Sequence, residues 1–202
     1  LHLSLSLCRH THTHTFSFVS FRSTQSTTTG TIPSALGNCV NLTTFSPTET
    51  YESLTGSIPA ELGRASQLRS LSLRMNNLNE SIPAELGNLT LLEYLDLSRN
   101  KLTGMIPDSF GSLTKLTVLD LSANNLVGPI PEIASLQIQE LNLYLNNLTG
   151  SLPSSFLDLT QLRILRLDRN KLTGSLNLVL SNMSNLQILE AHRNSFSGTY
   201  LL

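Results

Sequence analysis

Three groups of side chains could do chemistry, judged by type and spacing. His10, His12 and His14 alternate, so an extended segment would send three imidazoles to one side, as a metal site requires. Nothing around them supplies the rigid hydrogen-bonding frame that fixes metal ligands, and residues 1–29, LHLSLSLCRHTHTHTFSFVSFRSTQSTTT, read as a low-complexity leader. The second group is Tyr144, Asp168 and His192, each 24 residues from the next. A carboxylate that orients an imidazole beside a hydroxyl is the arrangement of nucleophilic catalysis. Here the hydroxyl falls on the far side of the carboxylate, so nucleophile, base and orienter do not line up, and an ordinary surface hydrogen bond is expected.

The third group is His192-Arg193-Asn194, which shares two letters with the HRD triplet of a phosphotransferase catalytic loop. That chemistry also needs a Gly-rich loop, a strand lysine and a metal-binding DFG aspartate, and the chain has none of them. Asn194 belongs instead to a regular series. The expectation is therefore no enzyme, no catalytic residue, no cofactor and no metal.

What must position any functional side chain is a repeat. A glycine recurs at Gly30, Gly56, Gly104, Gly128, Gly150, Gly174 and Gly198, with Glu80 in the one missing place. An asparagine keeps the same time at Asn76, Asn100, Asn124, Asn146, Asn170 and Asn194. The period is 24 residues, with one two-residue insertion and one two-residue deletion. Within each unit, pairs such as Leu95 and Leu97 alternate at period two and so face one side of a short strand. One strand cannot bury that face alone, so successive strands must stack in parallel over a shared core.

The asparagine stands where the strand ends, and its amide offers donors and an acceptor to backbone groups the turn leaves unpaired. The glycine after it permits a backbone geometry or a close approach that a side chain would obstruct. Pro59, Pro83, Pro107 and Pro131 fix φ and hold the residue before them extended. Behind them, AELGNLTLL (residues 84–92) spaces Leu86, Leu89 and Leu92 near one helical turn apart, which predicts a short helical or 3₁₀ return.

The spaced pattern LxxLxLxxNxLxGxIP resembles the plant-specific class of leucine-rich repeat, found in the extracellular parts of plant receptor-like kinases and receptor-like proteins. More distantly it resembles the polygalacturonase-inhibiting proteins. The resemblance covers roughly residues 54–198. It implies an α/β solenoid: a horseshoe or superhelix with a parallel concave sheet, short helical or 3₁₀ convex segments, and a second, plant-type strand from the GxIP segment. It also implies a peptide or protein ligand on the concave face, a possible co-receptor, and a place at the extracellular face of the plasma membrane, or secreted into the cell wall. One expected reading is the sensing part of a receptor in signalling or defence. The others are a soluble inhibitor of a wall-degrading enzyme and an incomplete gene product.

Composition bounds these readings. Charged residues are 13% of the 202, and the formal net charge of -1 gives no general attraction to nucleic acid or anionic membrane. No run of 18 apolar residues exists, so any membrane span would lie in segments outside this chain. Residues 1–29 lack the charged, apolar and small-residue regions of a signal peptide. Sequons for N-glycosylation stand at Asn41, Asn79, Asn88, Asn147 and Asn182, against about four expected by chance at this Asn, Ser and Thr content. Cys8 and Cys39 could pair, but their spacing alone does not establish it.

Both ends depart from the pattern. Residues 30–55 read as a degenerate first repeat, because Pro47 stands where the second strand leucine belongs and the ladder asparagine is missing. A weakly ordered coil is expected there. Residues 56–202 are the regular repeats, with Asn177 replacing a proline, Ala191 replacing a core leucine and a stop inside a repeat, the expectation being a fragment.

Since the constant letters build the coil, recognition must reside in the letters between them. The early strands carry the generic Asp96, Ser98, Asp120 and Ser122. The later ones carry Glu140, Asn142 and Tyr144, then Arg166, Asp168 and Arg169, then Glu190, His192 and Arg193. Stacking would put Arg166 between Asn142 and Glu190, and Asp168 between Tyr144 and His192, at roughly 4.8 Å per step. Mixed charge around an exposed aromatic is expected of a recognition surface, and equally of charges that merely compensate one another across a sheet.

Overall fold

The computed structural model describes residues 30–47, 54–133, 135, 137–176 and 180–198. The leader with its three histidines, Cys8 and Asn177 lie outside the described residues.

Alternating leucines produce the expected concave sheet. Among the described residues, seven short strands, Thr44–Phe45, Ser70–Ser72, Tyr94–Asp96, Val118–Asp120, Glu140–Asn142, Ile164–Arg166 and Ile188–Glu190, pair in parallel in chain order. Their central residues share one register, in which Leu71, Leu95, Leu119, Leu141, Leu165 and Leu189 stand side by side. All but the last of these leucines are buried to within 1% of fully. Each such burial is worth about 1.5 to 3 kcal/mol, and the solenoid gains it only because a neighbouring coil supplies the other wall.

Prolines then start the return. Among the described residues, five 3₁₀ helices, Ser34–Asn38, Ala60–Arg64, Ala84–Asn88, Asp108–Ser112 and Ser154–Asp158, each follow a proline in extended conformation. The coil with the two-residue deletion has no such helix among the described residues. There the Ser135 hydroxyl donates to the Leu116 carbonyl at 2.7 Å, and the Glu132 carboxylate accepts from Ser155 N–H at 2.8 Å. The Ser155 hydrogen bonds hold the Glu132 carboxyl below its usual range.

The plant-type second strand is present in pieces. Val127–Gly128, Asn147–Gly150 and Lys171–Leu172 form one parallel ladder, and Thr55–Gly56 pairs with Asn77–Leu78. The repeat glycines from Gly56 to Gly174 take φ between 75° and 83°, a region where a Cβ is strained, and Glu80 in the missing place avoids it.

The asparagines bind backbone. Asn100 accepts the Leu78 N–H at 3.1 Å and donates to the carbonyls of Leu97, in its own coil, and of Leu73, in the coil before. The same set recurs at Asn124, Asn146, Asn170 and Asn194, so each amide fastens its coil to the preceding one.

At the ends the fold differs from expectation in degree. The coil of residues 30–47 fills its core with Ile32, Leu36, Leu42 and Phe45, and Pro47 is buried where a leucine was expected. The ring takes the leucine's place in the core but lacks the N–H that Leu73, Leu97 and Leu121 donate there to the next coil. At the other end Ala191 is half-buried, and Leu189 is 38% exposed because no coil among the described residues stacks upon it.

Candidate functional site

The concave face is read strand by strand. Just ahead of the site, Tyr94 donates to Asp96 Oδ2 at 3.3 Å, and Asp96 Oδ1 accepts both the N–H and the hydroxyl of Ser98. Burial pushes the Tyr94 phenol up to about 12, and the Asp96 carboxylate adds to the shift. Asp120 and Ser122 repeat the carboxylate–hydroxyl pair, with the two oxygens 2.6 Å apart. Asp96 and Ser98 are 3% and 2% exposed, so this generic spelling lies within the surface and offers a partner little.

From Glu140 onward the face changes. Arg166 aligns with Asn142 on one side and Glu190 on the other, as the repeat register predicts. Its Nε lies 3.1 Å from Glu190 Oε2, and its Nη1 lies 3.4 Å from Glu140 Oε1. Asn142 turns away from the arginine, donating to Asp120 Oδ2 at 3.0 Å and accepting the Tyr144 N–H at 3.2 Å. The Arg169 guanidinium sits 5.9 Å from the centroid of the Tyr144 ring. Asp168 Oδ2 lies 3.5 Å from His192 Nε2, with the imidazole side chain 63% exposed. Arg193 is exposed and forms no ion pair among the described residues.

The structure therefore gathers Glu140, Arg166 and Glu190 into one ion-paired row, and Tyr144, Asp168, Arg169 and His192 into a second cluster beside it. Sequence reasoning treated Asp168 as an outward letter, whereas it is 3% exposed. It also missed the link from Asn142 to Asp120, for which the stacked register gave a signal, since the two residues stand side by side.

Of the sequons, Asn41, Asn79, Asn88 and Asn182 are exposed, although Asn182 Nδ2 donates to the Leu157 carbonyl at 3.3 Å. Asn147 is half-buried at the start of a second strand. Among the described residues no helix is long and apolar enough to cross a membrane.

The family model described as a leucine-rich repeat region matches residues 48–199. The chain is a leucine-rich repeat protein. No curated protein matches it. The repeat protein is 35% identical to a crystal structure of a TDR receptor, with a TM-score of 0.80, over 84% of this chain and 30% of that one. It is also 35% identical to PEPR1 in its crystal structure with AtPEP1, with a TM-score of 0.80, over 89% of this chain and 25% of that one. A crystal structure of a plant ice-binding protein is 27% identical with a TM-score of 0.61, over 84% of this chain and 70% of that one. The chain spans between a quarter and a third of the length of the two receptor structures. Its fold is the leucine-rich repeat solenoid seen in these plant receptor structures.

Proposed function

We propose that this repeat protein is the recognition module of a plant-type leucine-rich-repeat receptor, a receptor-like kinase or receptor-like protein acting in signalling or defence outside the cell. In this reading its concave face takes a peptide or protein ligand along residues 138–193, and a co-receptor joins the complex. The observation that carries it is the change along the sheet, from sunken Asp–Ser pairs to a row and a cluster with Tyr144, Arg166 and His192 at the surface. Tyr and Arg are the favoured anchors of interfaces, and seven paired strands hold them with little entropy left to lose. The relatives support it: PEPR1 was solved with AtPEP1, and the Arabidopsis receptor kinase HAESA with the peptide hormone IDA and the co-receptor SERK1.

Replacing Tyr144 and Arg166 together by alanine is expected to weaken a selected peptide or protein partner by roughly tenfold or more. The unfolding temperature should stay within a few degrees, since neither side chain belongs to the core. Calorimetric titration beside a thermal melt checks this, and unchanged affinity in a folded double variant sinks the reading.

A second reading has its own observation. On the flank, Thr103, Thr149, Thr173 and Ser197 stand exposed at one repeat position, and Ser57, Ser81, Ser151 and Ser175 at another. A regular hydroxyl array of this kind can order water, and a plant ice-binding protein is among the structures this chain resembles, though Met105, Val127 and Pro129 interrupt the array. An assay of ice recrystallisation decides: loss of activity in Thr149→Val/Thr173→Val supports this reading, and an inactive wild-type chain ends it.

A further inference from the structure

Among the described residues, Asp168 alone holds a buried side-chain oxygen without a hydrogen-bond partner: Oδ1 has none, and Oδ2 has only the imidazole at 3.5 Å. A buried carboxylate is costly unless its lone pairs are met. Neighbouring coils show how that is normally done, since Asp96 and Asp120 each accept an N–H and a hydroxyl from the serine two residues on. Asp168 stands in the serine's own place in the repeat, beyond that arrangement. The nearby cations are engaged, Arg166 by Glu140 and Glu190, and Arg169 over Tyr144.

We infer that Asp168 is the anchor for a cationic N–H group, an ammonium or guanidinium, that a ligand brings to the concave face. This rests on the reading of that face as a recognition surface and adds the class of group it selects. A charged donor makes a hydrogen bond to a carboxylate roughly twice as strong as a neutral one does. The imidazole against Oδ2 is 63% exposed and held there by a single contact of 3.5 Å, so displacing it moves one side chain. Tyr144, on the adjacent coil, already accommodates one guanidinium at its ring and offers the aromatic wall a bound cation favours. Glu140, Asp168 and Glu190 balance Arg166, Arg169 and Arg193, so selection is by local contact and not by long-range attraction.

The test is a titration of the folded chain with acetyl-arginine amide, acetyl-lysine amide and the neutral acetyl-citrulline amide, followed by the ring resonances of His192 and Tyr144. Saturable shifts are expected with the two cations, with citrulline roughly tenfold weaker. Asp168→Asn should abolish the shifts and raise the unfolding temperature, because the half-paired charge is gone. His192→Ala, which keeps the carboxylate, should bind the cations more tightly. Equal response to citrulline, shifts that survive Asp168→Asn, or weaker binding in His192→Ala overturns the proposal. The Tyr144 and Arg166 double variant reads a different quantity, affinity for a whole partner, so failure of the cation site and failure of the recognition reading are told apart.

Discussion

Replacing Asn100 by alanine is expected to lower the unfolding free energy by about 3 kcal/mol, measured by urea denaturation. The amide is buried and makes four bonds: it accepts from Leu78 N–H and donates to the carbonyls of Leu73, Leu97 and Ser98 at 2.9 to 3.2 Å. Removing it leaves the buried Leu78 N–H without an acceptor, at about 1 to 3 kcal/mol, and costs each of the three carbonyls one of two donors, since Leu73 keeps Asn76, Leu97 keeps Asn124 and Ser98 keeps the Met75 N–H. Asn100→Asp should be no better, since a carboxylate can still accept from Leu78 but faces the three carbonyls with no donor. Asn125, one residue past the next ladder position and exposed, is the control, and its alanine variant should stay within about 0.5 kcal/mol of wild type. A loss at Asn100 no larger than at Asn125 would mean that the coils hold together by leucine packing alone.

The second large effect is steric. A Cβ on Gly63 would overlap the backbone carbonyl of Glu85 in the following coil, standing 2.7 Å from its carbonyl carbon and 2.9 Å from its Cβ. Backbone cannot yield as a flexible side chain does, so Gly63→Ala must pry two coils apart, at a cost of about 3 kcal/mol. Gly111 holds the same place in its coil but faces the shortened one, where the nearest atom is the Glu132 oxygen at 3.1 Å. Gly111→Ala should therefore cost clearly less. Thermal melts of the two variants check the ordering, and equal losses would refute the steric account.

These glycines show how much of the fold was legible. The glycines of the repeat phrase announced themselves by period, and their positive φ follows from the turn they make. Gly63 also recurs, with Gly37, Gly87 and Gly111 in the same place of their coils, but it has no positive φ and no turn accounts for it. Its need arises from the next coil's backbone, 22 residues away, and appears only once the coils are stacked.

The residue before each ladder asparagine makes the same point. Met75, Arg99, Ala123, Leu145, Arg169 and Arg193 all adopt φ of 54° to 58°, a left-handed geometry that costs an L-residue about 1 to 2 kcal/mol. No glycine marks these positions. The turn is imposed from outside, because only it brings the two preceding carbonyls round to the asparagine amide, as Leu97 and Ser98 are brought to Asn100.

The surface divides in the same way. Period and strand alternation by themselves determined the parallel sheet, the leucine core, the asparagine ladder and the register that places Arg166 between Asn142 and Glu190. These follow from local rules applied at a fixed spacing, so a one-dimensional string contains them. Only the tertiary structure decided that Arg166 is held by both Glu140 and Glu190, that Asn142 turns to Asp120, and that Asp168 is buried with one oxygen unmet. Those outcomes depend on which long side chains reach which neighbours across the stacked coils. Side-chain reach is settled by competition among several partners in three dimensions, and the spacing of letters carries no record of it.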